Sequence, residues 1–274
     1  MNKDDFKKIL PVVILVLFLV PVFTSSLLDF KKQQKEEAVY RKFLAEQEIK
    51  KITEKKMYLT GKFEPAERPD FVLIPPQYAN NGNPMYLRKE AYGAFLQMEA
   101  TAKLDGINLK ITSATRNFYS QRDIWEKKWI GATLVDGENL SVSLPEGSLR
   151  FRKILEYSAA PGTSRHHWGT DIDFNYAIPS YFEEGRGKEI YDWLVANASR
   201  FGFCQVYNAK NNARVSGYHE EKWHWSYLPL AKQFTEEYKN LITESDLAGF
   251  MGEEYAIGQN LINDYVLGIN PECL

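Results

Sequence analysis

The stretch SRHHWGTDIDF, residues 164–174, contains two of the four histidines in the chain together with two aspartates. Gly169 gives the backbone the freedom to turn, and residues 170–174 then alternate in the period-two pattern of a β-strand. On such a strand Asp171 and Asp173 share one face, and the more apolar side chains share the other. Two carboxylates facing a histidine-containing turn are costly to bury unless a positive charge lies between them, which favours a bound metal ion.

The other two histidines lie in a second stretch, HEEKWHW, residues 219–225. A strand over 223–227 would direct its three aromatic side chains to one side, where they would wall a cavity, and His224 to the other side, toward the metal. Glu221 precedes His224 on the expected turn. From there its carboxylate can exchange a proton with an attacking water without binding the ion.

Histidine combined with carboxylate is the ligand set that suits zinc bound through nitrogen and oxygen. A catalytic zinc needs three protein ligands and one open position, so the two stretches together indicate a metal-dependent hydrolase. The residues alone do not choose among the candidates. The alternatives are His167 and His219 as ligands, Asp171 in place of Asp173, and Glu220 in place of Glu221.

The composition is that of an ordinary globular protein of 274 residues, with 44% hydrophobic and 26% charged residues. Its 34 basic and 36 acidic side chains leave a net charge of −2, so no global positive field is available to hold nucleic acid. Cys204 and Cys273 form no Cys-x-x-Cys pair, which argues against a thiolate zinc site. A single Cys204–Cys273 disulfide is left open, since it requires an oxidising compartment.

The N-terminal segment, residues 1–28, joins a short charged stretch to apolar sequence. Its apolar part provides about 20 residues, or about 30 Å of helix, which is enough to span a bilayer. We interpret 1–28 as an uncleaved membrane anchor because no Ala-x-Ala pattern is present, and a cleaved secretory signal is the alternative. Residues 29–60 are polar and predict a helical stalk, which leaves 61–274 as the globular domain.

Helical and strand patterns are mixed along the chain without a regular βαβ alternation. This predicts an α+β fold with a small, mostly antiparallel sheet flanked by helices. Helices are expected over 88–104, 120–130, 149–159, 189–201 and 230–241 and from 246 onward, and strands over 108–112, 170–174, 203–207 and 223–227.

The motif Ser-x-His-(x)6-Asp followed by Glu-x-Trp-His resembles the zinc D-alanyl-D-alanine carboxypeptidases of the VanY/VanX type. The resemblance extends upstream to Ser113-Ala114-Thr115-Arg116 and Gln121 and covers roughly residues 86–228. It implies the small α+β fold of the LAS-type zinc peptidases, with one zinc ion, for the domain 61–274.

The resemblance also implies a role for each motif residue. His166, Asp173 and His224 would be the zinc ligands, and Glu221 would be the catalytic base and acid. Arg116 would steady the developing oxyanion or the scissile carbonyl. Gln121 and Ser164 would line the substrate site, where we also expect Trp223.

The implied substrate is the peptidoglycan stem peptide, from which the enzyme would remove the terminal D-alanine. An extracytoplasmic protein anchored to the cytoplasmic membrane fits that substrate. The alternatives are an L,D-carboxypeptidase, an endopeptidase that cuts cross-links, and a non-catalytic cell-wall-binding module. Two positions depart from the family pattern: Asp171, where relatives often have Ala, and Trp225-Ser226, where many have Arg-Tyr. We expect both departures to touch the pocket and to alter the peptide specificity.

Overall fold

The computed structural model describes the backbone of residues 3–80 and 82–274 and the side chains of residues 29–80 and 82–274. The chain divides into two units, Met1–Thr53 and Glu54–Leu274. Helix α1 spans Lys3–Leu59, and its residues 29–54 are exposed, in keeping with their polar composition.

Within the residues that the structure describes, we find no helix that is both long enough and apolar enough to cross a membrane. The side chains of the predicted anchor, residues 1–28, lie outside the described residues. The compact unit Glu54–Leu274 includes the last turn of α1, which falls within the predicted stalk. Tyr58 and Leu59 are buried there in the core of that unit.

The compact unit contains six further helices and six short strands among the described residues. In chain order they are β1 (Phe71–Leu73), β2 (Tyr86–Arg88), α2 (Lys89–Leu104), β3 (Ile111–Ser113), α3 (Phe118–Trp129), α4 (Leu140–Ser143), α5 (Gly147–Leu155), β4 (Asp171–Phe174), α6 (Gly185–Asn197), β5 (Phe203–Gln205), β6 (His224–Tyr227) and α7 (Leu228–Leu241). The predicted α+β class is confirmed.

The sheet that organises the unit is four-stranded, antiparallel and ordered β3-β4-β6-β5. Its two central strands pair Asp173 with His224 and Asp171 with Ser226. Since side chains on a strand alternate between the faces, this register brings the polar residues of β4 and β6 onto one face. The small antiparallel sheet is confirmed, and β1 and β2 form a separate hairpin that was not predicted.

The other face of the sheet is apolar and packs on α2 and α6. The strand residues that build this core are Ile111, Ile172, Phe174, Phe203 and Trp225. Full burial of each side chain of this size contributes roughly 1.5–3 kcal/mol to the stability of the fold. The burial of these residues therefore determines which face of the sheet is directed toward the core. The opposite, polar face is not needed for this core and can carry a functional site.

The C-terminal region differs from the prediction of a helix from 246 onward. It forms only short turns, at Glu244–Asp246, Glu253–Tyr255 and Pro271–Cys273, and one π-helical turn, at Ile262–Val266. Gly249, Gly252 and Gly258 all have positive φ angles, of 104°, 86° and 81°. A right-handed helix cannot continue through such residues, so the helix predicted from 246 onward does not form.

Cys204 on β5 and Cys273 near the C-terminus form a disulfide, with their Cα atoms 5.7 Å apart. The bond ties the irregular C-terminal region to the edge strand of the sheet across a sequence separation of 69 residues. The bridge that the sequence left open is therefore present.

Removing this disulfide should destabilise the compact unit. Closing a loop of 69 residues restricts the unfolded chain and is worth about 4 kcal/mol in the chain-entropy treatment. We expect Cys273→Ser to lower the free energy of unfolding by about that amount in urea titrations of the oxidised protein. The Cys204→Ser/Cys273→Ser pair should match the single variant, and an unchanged urea midpoint would exclude a stabilising role for the bond.

Candidate metal centre

Three side chains converge on the polar face of the sheet. Asp173 comes from β4 and His224 from its cross-strand partner position on β6, while His166 lies on the short turn Arg165–Trp168 just before β4. One potential ligand atom from each residue lies within 4.8 Å of the others. Asp173 Oδ1 is 3.3 Å from His166 Nε2 and 4.0 Å from His224 Nδ1.

The ligand trio, defined as His166, Asp173 and His224, fits a metal ion by its unsatisfied atoms. His166 Nε2 and Asp173 Oδ1 are buried and have no hydrogen-bond partner. Leaving such atoms without a partner in the interior costs about 1–3 kcal/mol each, so they are rare in native structures. A tetrahedral zinc with bonds of about 2.0–2.1 Å holds its ligand atoms roughly 3.3 Å apart. Asp173 Oδ1 and His166 Nε2 are at that spacing, and the third ligand atom lies within 4.8 Å of both.

A hydrogen bond to one nitrogen of each histidine ring determines which of its two nitrogens remains available to a metal. His166 Nδ1 donates to the carbonyl oxygen of Ala114 over 2.8 Å, which leaves Nε2 for a metal. His224 Nε2 donates to Asp171 Oδ2 over 2.8 Å, which leaves Nδ1. Partners of this kind fix the tautomer and the orientation of metal-binding imidazoles.

The electrostatics of the trio favour ionised carboxylates. Burial alone would raise the pKa of Asp173, but His166, His224 and Arg116 outweigh it and lower that pKa to about 2. Burial lowers the pKa of His166. For His224, burial is outweighed by hydrogen bonds to Asp171 and Glu221, which raise its pKa to about 10. The Asp173 carboxylate is therefore ionised and can serve as an anionic ligand.

Glu221 lies beside the trio, with its Oε2 2.9 Å from His224 Nδ1, the nitrogen offered to the metal. Its side chain is partly exposed and lines the open cleft above the trio. Glu220, the alternative base, does not line that cleft. Glu221 is thus the carboxylate that can reach both a metal-bound group and solvent.

The cleft contains all the other residues that the sequence proposes for the site. Arg116, Gln121, Ser164 and Trp223 line it. Arg116 approaches to within 4.0 Å of the Asp173 carboxylate, and its buried Nε has no hydrogen-bond partner. Gln121 donates to the carbonyl oxygen of Ala159, while its Oε1 has no partner. Both side chains therefore keep capacity for a ligand.

The sequence predicted that the three aromatic side chains of residues 223–227 would wall a cavity. In the structure, they do not all line the cleft. Trp225 lies in the apolar core behind the sheet, since it points away from His224 on the alternating strand. Trp223, which precedes β6, is the aromatic residue of this stretch that lines the cleft.

The two remaining histidines lie outside the trio. His167 is buried with both ring nitrogens in use, since Nδ1 donates to the Arg116 carbonyl oxygen and Nε2 accepts from the Gly162 N–H. It therefore holds the Arg116 segment in place rather than offering a ligand atom. His219 is exposed near the rim, with its ring 6.5 Å from that of Tyr157.

The expectation that Asp171 touches the pocket is wrong. Its side chain is completely buried behind His224 and is absent from the cleft lining. Ser226, at the second departure from the family pattern, is equally buried and donates to Asp171 Oδ1 over 2.6 Å. These positions therefore support a ligand and do not contact the substrate space.

Sequence reasoning missed Lys128 and several tyrosines of the site. Lys128 lies two helical turns after Gln121 on α3, a spacing that puts both on one face. Its amine donates to Ser158 of the cleft, and we find no carboxylate in ion-pair contact with it among the described residues. Tyr157, Tyr207 and Tyr218 complete the lining.

A family model described as VanY, D-alanyl-D-alanine carboxypeptidase, matches residues 84–230 of the chain. The D-alanyl-D-alanine carboxypeptidase of Enterococcus faecalis is 27% identical over 164 residues, which are 57% of this chain and 55% of that protein. The YodJ protein of Bacillus subtilis is 27% identical over 182 residues, 65% of this chain and 59% of that protein. The chain thus spans between 55% and 59% of the length of these relatives.

Among solved structures, the chain is similar to the LdcB LD-carboxypeptidase. The TM-score is 0.47 at 24% identity, over 71% of this chain and 79% of that one.

Zinc binding should depend on the trio and not on the rim histidine. We expect Asp173→Asn to weaken zinc affinity by more than about 100-fold, beyond what outer hydrogen-bond partners usually contribute, because it removes the anionic ligand. His219→Ala should leave the affinity within about twofold of the parent protein. Competition with a chromophoric chelator measures both. Equal affinities for the two variants would show that the metal binds elsewhere.

Proposed function

This chain belongs to the VanY family of D-alanyl-D-alanine carboxypeptidases, and from that membership we propose that it is a zinc-dependent carboxypeptidase acting on peptidoglycan stem peptides. In this proposal it removes the terminal D-alanine. The observation that carries the proposal is a partly exposed carboxylate, Glu221, beside a buried trio of two imidazoles and one carboxylate in an open cleft.

The trio would hold one zinc ion through His166 Nε2, His224 Nδ1 and Asp173. Bound there, zinc supplies a Lewis acid that polarises a carbonyl and brings the pKa of water to about 7. This assignment is supported by the two buried ligand atoms without partners and by the hydrogen bonds that orient both rings.

Glu221 acts as the general base and then as the general acid. Its carboxylate takes a proton from the attacking water and passes it to the leaving amine, which requires both positions to be within hydrogen-bond reach. The guanidinium of Arg116 lies beside the trio, where its fixed positive charge stabilises the negative charge that develops on the carbonyl oxygen.

A carboxypeptidase must also recognise the free carboxylate at the end of its substrate. Lys128 is the residue we assign to it, because its amine donates to Ser158, which lines the cleft, and has no carboxylate in ion-pair contact among the described residues. Gln121 and Ser164 line the same space and provide polar contacts to the peptide, and Trp223 provides an apolar one.

Two other functions use the same site. An L,D-carboxypeptidase or a cross-link endopeptidase would share the zinc chemistry and differ in the bond that is cut. The amine of Lys128, which has no carboxylate in ion-pair contact among the described residues, favours a substrate with a terminal carboxylate. It therefore favours an exopeptidase over an endopeptidase. A non-catalytic cell-wall-binding module would not require Glu221 beside the trio.

The location we propose is outside the cytoplasm, where peptidoglycan lies. The Cys204–Cys273 disulfide supports an oxidising compartment. Attachment to the cytoplasmic membrane through residues 1–28, with 29–60 as a stalk before the zinc peptidase domain, remains part of the proposal. With a net charge of −2, we propose no nucleic-acid partner.

Glu221→Gln should abolish hydrolysis while zinc stays bound, because the amide retains the shape of the side chain but cannot accept the proton. The measurement is mass analysis of defined stem peptides ending in D-alanyl-D-alanine, incubated with zinc-loaded protein. The parent protein should release one terminal alanine.

Glu220→Gln serves as the matched control and should retain activity. Release of alanine from a tetrapeptide ending in an L,D bond, or cleavage of cross-linked dimers alone, would assign one of the other bond specificities. Binding of muropeptides without any hydrolysis by the zinc-loaded parent would favour the binding module.

Lys128 should make substrate affinity depend on pH. Burial, and to a smaller extent Arg116, lower its pKa to about 8. The amine is therefore charged below about pH 8 and loses its charge as the pH rises through that value, so KM should increase above it. Lys128→Met should raise KM by roughly 10- to 100-fold at pH 7, the worth of a charged hydrogen bond.

Lys128→Arg should move the rise in KM to higher pH, since arginine stays charged. An amidated peptide should bind the parent and Lys128→Met equally. A KM for Lys128→Met equal to that of the parent on the acid peptide would remove this residue from carboxylate recognition.

A further inference from the structure

The Asp171 carboxylate is saturated by contacts with its surroundings. Its Oδ2 accepts from His224 Nε2 over 2.8 Å and lies 3.4 Å from Arg165 Nε. Its Oδ1 accepts from Ser226 over 2.6 Å and from Thr170 over 2.7 Å. With no exposed surface, this group meets neither solvent nor substrate. Its contacts all belong to the protein interior.

Arg165 compensates the buried negative charge and is itself fixed. Its guanidinium donates to Thr235 Oγ1 over 3.0 Å and to Ser226 Oγ over 3.4 Å, and lies 4.5 Å from the centre of the Trp168 ring. The positive charge of Arg165, together with the hydrogen bond from His224, keeps the pKa of Asp171 below its usual range despite burial. A buried ion pair of this kind is costly unless its geometry is well satisfied.

The register of the sheet connects this pair to the ligand trio. Asp171 lies opposite Ser226 and Asp173 lies opposite His224, so a supporting pair and a ligand pair follow one another along the same two strands. The serine and the aspartate at the two departures from the family pattern are in direct hydrogen-bond contact. A change at either position would remove the hydrogen bond that joins them.

We propose that Asp171, held by Ser226 and Arg165, is a positioning residue that keeps the Nε2 proton on His224 and turns Nδ1 toward the metal. The inference rests on the proposed zinc function. A carboxylate behind a metal-binding imidazole fixes the tautomer, orients the ring and makes the ligand nitrogen more basic. In this chain the carboxylate is itself anchored by an arginine and a serine, so the ring has little freedom to rotate.

The alternative is a purely structural ion pair between Asp171 and Arg165 that happens to border His224. That alternative predicts a loss of stability in the metal-free protein without a selective loss of metal affinity. The two explanations therefore differ in zinc affinity and in the protonation of one ring nitrogen, and neither readout needs a substrate.

The decisive variant is Asp171→Asn, which keeps the shape and one acceptor but removes the charge. Its zinc affinity, measured by chelator competition, should fall about 10- to 100-fold, the usual effect of losing an outer hydrogen-bond partner. Ser226→Ala should produce a smaller loss in the same direction. Asp105→Asn is the matched control, because Asp105 accepts an N–H from the Trp193 ring outside the ligand trio, and its zinc affinity should be unchanged.

Nitrogen NMR of the zinc-loaded parent supplies an independent readout. We expect His224 to carry its proton on Nε2 and the metal on Nδ1. Asp171→Ala should weaken this preference, and because it leaves Arg165 buried without its carboxylate, its folding is checked by the melting temperature of the metal-free protein.

Zinc affinity of Asp171→Asn within twofold of the parent, or a proton on Nδ1 of His224 in the zinc-loaded parent, would overturn the positioning role. Failure of the peptidase activity alone would not do so, because a parent protein that binds zinc but cleaves no stem peptide refutes the proposed function and leaves this inference standing.

Discussion

The pairing of β4 with β6 is the constraint on which the site depends. In an antiparallel ladder, a slip of one residue turns every side chain of a strand to the opposite face. Here such a slip would move Asp173 and His224 into the apolar core and bring Ile172 and Trp225 out of it. The burial of those apolar side chains therefore enforces the register that joins the two ligands. The stability of the core and the geometry of the site have the same origin.

In the ligand trio, the ring nitrogens that face away from the proposed metal are hydrogen-bonded, whereas two of the atoms that face it are not. Backbone and side-chain acceptors bind the far nitrogen of each imidazole, whereas the near atoms of His166 and Asp173 have no partners. Buried polar atoms of this kind reduce the stability of a fold when nothing else engages them. That local cost falls on two neighbouring atoms, one from His166 and one from Asp173, which indicates a preorganised centre rather than imperfect packing.

Sequence reasoning located most of this site because its main residues are local in sequence. The turn and strand of residues 164–174 and the strand β6 follow from glycine and from period-two alternation, and α2 follows from apolar spacing. The β1–β2 hairpin was not predicted, because strands of three residues are too short to show a periodic pattern in the sequence. The C-terminal region was wrongly predicted to be helical, because three of its glycines adopt positive φ angles that a right-handed helix does not allow. Lys128 was overlooked because its approach to the cleft depends on how α3 packs against Ser158.

Hydrogen bonds join the segment of residues 114–116 to the segment of residues 166–167. The Arg116 N–H donates to the His166 carbonyl oxygen, His166 binds the carbonyl oxygen of Ala114, and His167 binds that of Arg116. Neither segment can shift without carrying the other along. Directed evolution of the proposed peptidase should therefore leave these two segments unchanged and vary the α3 side of the cleft, where a changed side chain alters recognition without displacing the ligand trio.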